Sequence, residues 1–449
     1  MSKTLIHNGT IVNRGEQFHG YVVIIGDVIE SVGHGKYPHH TSSFTDVIDA
    51  KGSIVIPGVI DDQVHFRDYT MAYKADFRSE SIAGVSGGVT SFMEMPNSNP
   101  PTITFEALDD KFRKASEVSP ANYSFYFGAT NDNLNLIEKI DPKRVCGVKV
   151  FLGSSTGDLL VDDKKILQGI FRSSPILVAI HSEKDSIIKE NMRLYKEKYG
   201  DNITIDMHPL IRSAEACYAS TYEAIEMAHK YGTDLHVLHL STQRELELFE
   251  NKPLEEKKIT NEVCVHHLWF SDEDYGLKGN LIKWNPSIKS AADREALREG
   301  IKRGTVDLVA TDHAPHTLEE KSRPYLDAPS GGATLEHSLT AMLQMADKED
   351  SIFTIPEVVN KMCHAPALRY KIQGRGFLDA GYYADIAIVK MGEKWTVNKG
   401  NILSKCGWSP FEDYTFRNKV THTFVNGSLA YKNGVVDSNI RGKELVFNR

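Results

Sequence analysis

Five short apolar runs in this chain end on side chains that could hold a metal ion. Gln63-Val64-His65 follows IVIPGVIDD, Lys149 lies in GVKVFLG, His181 in ILVAIHSE, His239 in DLHVLHLS and Asp312 in DLVATDHAPH. Imidazole and carboxylate groups suit zinc or a similar divalent ion. Such an ion lowers the pKa of bound water to ~7, so hydroxide exists at neutral pH, and two ions ~3.5–4 Å apart can share it. Taken singly, His181 and His239 read as packed core histidines. His236, His266, His267 and His313 have similar surroundings and are assigned no metal. Spacing alone does not separate His239 from His236. Candidate ligands at one common end of five strands mean more. They describe a parallel β/α barrel with its site at the C-terminal face, and the chemistry of a metal-dependent hydrolase.

Lys149 and Asp312 each admit two readings. A strand lysine aimed into a barrel is costly as a cation. If CO2 adds to its amine, the carbamate is anionic and can bridge two ions. The equal alternative is a lysine that snorkels outward or pairs with a carboxylate. Asp312 begins a D-x-x-x-H element ending at His316. Its carboxylate could take a proton from the attacking water and return it to a leaving nitrogen. The plainer role is helix N-capping, which is weaker for an aspartate flanked by two histidines.

The elements that must position these groups follow from pattern. Strands are expected over 53–61, 89–95, 122–130, 146–153, 176–183, 234–241, 258–268 and 306–314, with amphipathic helices between them. Eight strands alternating with helices are the count a closed barrel needs. The stretch 183–215 is a charged insertion, expected as a solvated helix. Both chain ends are β-rich instead. Asn8-Gly9, Asn426-Gly427 and Asn433-Gly434 fall between apolar runs and predict tight hairpin turns. One small β-sandwich from residues 1–56 and 370–449, flanking a barrel over 57–369, is the expected organisation.

Bulk composition narrows the partners. The 449 residues are 41% hydrophobic and 25% charged, with a net charge of −8. That balance suits a soluble globular protein acting on a small molecule and argues against nucleic acid or an anionic membrane. The five cysteines are odd in number and widely spaced without a CxxC, which reads as reduced thiols in the cytoplasm. MSKTLIHNGTIVNRG has no long apolar stretch, so no signal peptide is expected, and no apolar run approaches a membrane span.

Taken together, the motifs resemble the amidohydrolase superfamily and, within it, the dihydroorotases. GGVTSFMEMPNSNPPT is the most specific stretch, and PGVIDDQVHFRD, VHHLWFSDED, DHAPHTLEEK and SKCGWSPFE are also similar to family segments. The resemblance covers nearly the whole chain. It implies a (β/α)8 TIM-type barrel with a β-sandwich from both termini. It implies reversible cyclisation of N-carbamoyl-L-aspartate to L-dihydroorotate in pyrimidine synthesis. It also implies one or two Zn2+ ions per subunit and a homo-oligomer, dimeric or tetrameric. His65, Lys149 and Asp312 would hold one ion, and Lys149, His181 and His239 the other, with Asp312 as the catalytic acid/base. Arg67, Asn97 and His316 would clamp the substrate carboxylate, and Asn285 and the backbone of Ser330-Gly331 would also contact substrate. A surface ion pair with Asp68 is the plainer role for Arg67.

Three departures stand out. The usual H-x-H is Gln63-x-His65 here, and a neutral amide is a poor zinc ligand, so the His65/Asp312 site should be the weaker. DYT follows Arg67 where Glu-Pro-Gly is usual, and NPSIK replaces NPPLR. The competing readings are an allantoinase or hydantoinase-like cyclic amide hydrolase, which Arg67 and the MPN segment disfavour, and a degenerate non-catalytic partner of another enzyme. Degenerate relatives would be expected to lose several ligands, whereas this chain lacks one.

Overall fold

The apolar runs in the middle of the chain become short strands buried on both faces, as strands are when helices cover the sheet. The computed structural model describes residues 2–153, 159–347 and 351–449. The strands are Val59–Val64, Val89–Glu94, Asn122–Phe125 continuing as Phe127–Gly128, Val148–Phe151, Val178–His181, Leu235–Val237, Ile259–Cys264 and Leu308–Ala310. Their pairings are all parallel. A parallel bridge from Val64 to His313 joins the last strand to the first. The result is an eight-stranded α/β barrel.

The helices between strands carry readable start and stop signals. Asp76, Thr104, Ser213 and Ser290 each accept a backbone N–H in the first turn of the helix they precede. Gly232 and Gly304 close two helices in the left-handed conformation. No helix of the described residues is long and apolar enough to cross a membrane.

Among the described residues, both termini build one nine-stranded sheet. Ile6, Val22, Ile24, Ile386, Ile388 and Phe424 pack together as its own apolar core. Asn426-Gly427 and Asn433-Gly434 are hairpin turns with positive φ, as expected. Asn8-Gly9 is not a turn. It lies within the strand Lys3–Asn13, where the register shifts between Ile6 and Gly9. The φ of 61° at Asn8 therefore serves a bulge, and Arg14-Gly15 makes the hairpin turn.

Other expected elements also divide. Residues 53–61 split at Gly58. Ser53–Pro57 belongs to the terminal sheet, while Val59 opens the barrel. The N–H of Gly58 donates to Asp385 and that of Val59 to Gly88, so consecutive amides serve different sheets. Strand 258–268 ends at Cys264, and Val265–Trp269 is helical. The insertion does carry a mostly exposed helix, Asp185–Tyr199. Its far end folds back, however, with His208 and Arg212 buried beside the barrel mouth.

Candidate active site

The barrel strands deliver the metal-type donors to one cleft. Gln63, His65, Lys149, His181, His239 and Asp312 all line it, together with Arg67, Asn97, Asn285, Ser330 and Gly331. A roomier groove of about 260 Å³, between Thr233, Phe249 and Ile259, contains none of these groups.

The donors come in two pairs. His65 Nε2 lies 3.0 Å from Asp312 Oδ1, and His65 Nδ1 lies 2.7 Å from Asn97 Oδ1. A proton on Nδ1 satisfies Asn97 and leaves Nε2 as a lone pair beside the carboxylate, the usual state of a ligating histidine. In the second pair, His181 Nδ1 stands 3.0 Å from His239 Nε2. The other nitrogen of His239 has no hydrogen-bond partner. His181 Nε2 is 3.0 Å from Glu183 Oε2 but out of line for a hydrogen bond. Burial lowers the pKa of His65, His181 and His239 below the ordinary histidine value. At 3.0 Å the two rings can share one proton as a hydrogen bond, and with that proton elsewhere the facing nitrogens of two neutral imidazoles are suited to a common divalent ion.

Lys149 lies among these donors, almost fully buried. Burial pulls its pKa down to about 7, against the attraction of Asp312 and Glu262. An amine held there is substantially neutral at physiological pH, and so nucleophilic. Gln63 faces Asp312 as well, its Nε2 donating to Oδ1 at 3.3 Å.

Two of the ligand-type residues have unusual backbones. His239 and Asp312 follow their strands with φ of 42° and 44°. Non-glycine residues adopt this region at a cost of order 1–3 kcal/mol, and such strain clusters at functional sites. Arg67, Asp68 and Tyr69 form a further positive-φ run, at 66°, 55° and 49°.

Arg67 is buried, and Asp68 is not its partner, since Asp68 takes Lys114 at 2.6 Å. Arg67 Nε donates to Pro315 O at 3.0 Å, and Nη2 lies 2.9 Å from His316 Nε2. His316 is brought beside Arg67. Its Nε2 is also 3.0 Å from Ser330 O, and its Nδ1 is 2.9 Å from Lys74. Ser330 Oγ donates to Asn285 Oδ1 at 3.0 Å. The Gly331 N–H is taken by Lys283 O. Gly331 sits at φ 122°, and a Cβ there would meet Ala314 O at 2.5 Å, so glycine is required.

An amidohydrolase family model matches residues 54–430. The chain belongs to the amidohydrolase family. It is 31% identical over 396 residues to a protein named dihydroorotase from Pyrococcus furiosus, covering 88% of this chain and 86% of that one. It is 28% identical over 435 residues to another of that name from Lactobacillus johnsonii, covering 96% of this chain and 99% of that one. Among solved structures, L-hydantoinase (dihydropyrimidinase) from Arthrobacter aurescens superimposes with a TM-score of 0.90 at 24% identity, over 97% of this chain and 98% of that one. Dihydropyrimidinase from Brevibacillus agri gives 0.88 at 20% identity over the full length of both. These two likenesses show the barrel fold. Family and relatives make this chain a cyclic amidohydrolase, an enzyme of a typically metal-dependent family.

The amidohydrolase cleft also contains residues that sequence reasoning passed over. Phe151, Trp284 and Ala314 line it. Glu183 pairs with buried Arg212 behind His181. Trp408 comes from the C-terminal region, and its Nε1 donates to His316 O at 2.7 Å. Beneath the cleft, Asp62, His236 and Glu262 form a buried group. His236 Nδ1 reaches Thr260 at 2.8 Å and Nε2 reaches Glu262 at 3.2 Å. No periodicity reveals these residues. Glu183 and Trp284 could have been found as polar-tipped residues just after or beside ligand-bearing segments.

Proposed function

We propose that this amidohydrolase interconverts L-dihydroorotate and N-carbamoyl-L-aspartate. The observation that carries the reading is Arg67, a buried guanidinium on the cleft wall, with its Nε bonded to Pro315 O and its Nη2 beside His316 rather than a carboxylate. A planar cationic fork of this kind suits a substrate carboxylate. The two relatives bearing the name dihydroorotase support the same choice.

His65, Asp312 and Lys149 would hold one divalent ion, zinc by donor type, and His181, His239 and Lys149 a second. When bound, such an ion polarises a carbonyl and makes water acidic. Lys149 would serve both as a carbamate. Its neutral amine attacks CO2, a C–N bond forms and one N–H proton passes to solvent, converting a neutral amine into an anion. Asp312 takes the proton of the attacking water and delivers it to the ring nitrogen as the amide C–N bond breaks. In the closing direction it runs the same transfer backwards. Asn97 orients His65 while lining the cleft. Asn285 and the Ser330-Gly331 loop also line the cleft, and His316 would complete the carboxylate clamp beside Arg67. The barrel, residues 57–369, would carry the chemistry, with the terminal sheet as its support.

The test is a spectrophotometric assay of the purified protein with L-dihydroorotate, hydantoin and dihydrouracil, together with metal analysis. Turnover of dihydroorotate is expected to dominate. Activity confined to the rings that lack a carboxylate would overturn the substrate assignment.

A further inference from the structure

A second group of metal-type donors lies outside the set just described. The strand Ile259–Cys264 ends on Cys264, and the helical turn that follows carries His266 and His267. All three are buried, and one donor atom from each lies within 4.8 Å of the others. Donors around a tetrahedral zinc stand about 3.3–3.6 Å apart, given bonds of about 2.0–2.1 Å to nitrogen and 2.3 Å to sulfur. The three side chains are thus within roughly an ångström of binding distance.

Their hydrogen bonding leaves donors unused. His267 Nε2 lies 3.1 Å from Pro286 O, which places the proton on that nitrogen, and Nδ1 has no partner. A ligating histidine is normally held this way, with its far nitrogen donating to a carbonyl. One ring nitrogen of His266 is directed at the Thr311 backbone without well-aligned hydrogen-bond geometry, and the other has no partner. Its plane is fixed by stacking on Trp284, with ring centroids 4.3 Å apart. Cys264 Sγ makes a long contact of 3.7 Å with Gln63 Oε1. Buried imidazoles without partners are costly, and groups left so are expected to have a ligand.

We propose that Cys264, His266 and His267 form a soft-donor site for a divalent ion of the zinc class, with Gln63 Oε1 or water as the fourth donor. On binding, the thiol S–H gives its proton to solvent and an S–metal bond forms, so uptake releases a proton. Ions would arrive through the cleft, since Gln63 and Trp284 both line it. The site does not depend on which cyclic amide the enzyme opens.

The experiment uses the full-length protein loaded with zinc, freed of excess metal and measured by X-ray absorption at the zinc edge. A cobalt-substituted sample is measured by optical spectroscopy. The expected results are a sulfur neighbour at about 2.3 Å and a thiolate-to-cobalt charge-transfer band. Cys264→Ser should remove both signals and lower bound metal by one ion per chain, and the double variant His266→Asn/His267→Asn should lose the same ion. Absence of sulfur from the fully loaded natural protein overturns the proposal, whether or not the variants fold. So does a sulfur signal that survives Cys264→Ser, or one that persists at full metal content in the double histidine variant. Dihydroorotate turnover, measured in parallel, reports on the proposed reaction and not on this site.

Discussion

Replacing Arg67 with Met tests the substrate assignment directly. The guanidinium lines the cleft and, although burial lowers its pKa to about 10, it remains charged at neutral pH. A hydrogen bond to a charged group contributes about 1.5–3 kcal/mol. At about 1.4 kcal/mol per factor of ten, the loss in kcat/KM is then about ten- to a hundredfold. Most of it should appear in KM, because the carboxylate is remote from the bond that breaks and is gripped equally in the ground and transition states. Met also abandons the bonds to Pro315 O and His316. Buried groups left unpaired cost about 1–3 kcal/mol of stability, so a melting curve must accompany the kinetics. Arg67→Lys keeps the charge but not the fork and should fall between the two. Steady-state rates of dihydroorotate hydrolysis over a wide substrate range give the comparison. An unchanged KM in a folded Arg67→Met protein would refute the reasoning, since Arg67 would then be holding only the Pro315 loop.

Asp312→Asn should lower kcat by roughly 10²–10⁴ while circular dichroism stays native, and near-normal turnover would remove Asp312 as the proton carrier. Lys149→Ala should lose metal from both proposed pairs, with partial recovery in added short carboxylates; full metal content in the variant would exclude a bridging role. Gln63→His should slow metal loss to a chelator, because imidazole binds zinc better than an amide does and the Gln63 bond to Asp312 Oδ1 is removed. Equal retention in both proteins would mean the position is not a ligand site. Acid sensitivity follows from buried His337, whose pKa burial lowers to about 3. The unfolded chain binds its proton near pH 6.5 and the folded one does not, so stability is full above that pH and falls between about 6.5 and 3. By pH 5 the loss is about 2 kcal/mol from this residue. Denaturant titrations of the natural protein and His337→Gln at pH 7 and 5 should show a smaller pH effect in the variant, and an equal effect would contradict the linkage.

The sequence by itself determined the barrel and the neighbourhood of its site. Period and chain direction did this: an apolar run buried on both faces is a parallel strand, and its last residues lie at the C-terminal rim whatever the helices do. His65, Lys149, His181 and Asp312 were legible for that reason, His239 was separated from His236 only by the family resemblance, and all five line one cleft. Hairpin chemistry at Asn426-Gly427 and Asn433-Gly434 was legible because two adjacent positive φ values need those residues. Asn8-Gly9 has the same residues in a bulge, since the partner strand rather than the dipeptide decides between the two. Other features required the tertiary structure. The division at Gly58 depends on which sheet each amide meets. His316 is fixed beside Arg67 by Lys74, Ser330 and Trp408, which come from three other segments. The grouping of Asp62 with His236 and Glu262 brings together residues of three separate strands. A one-dimensional pattern carries no record of these, because it orders residues along the chain and not around the barrel.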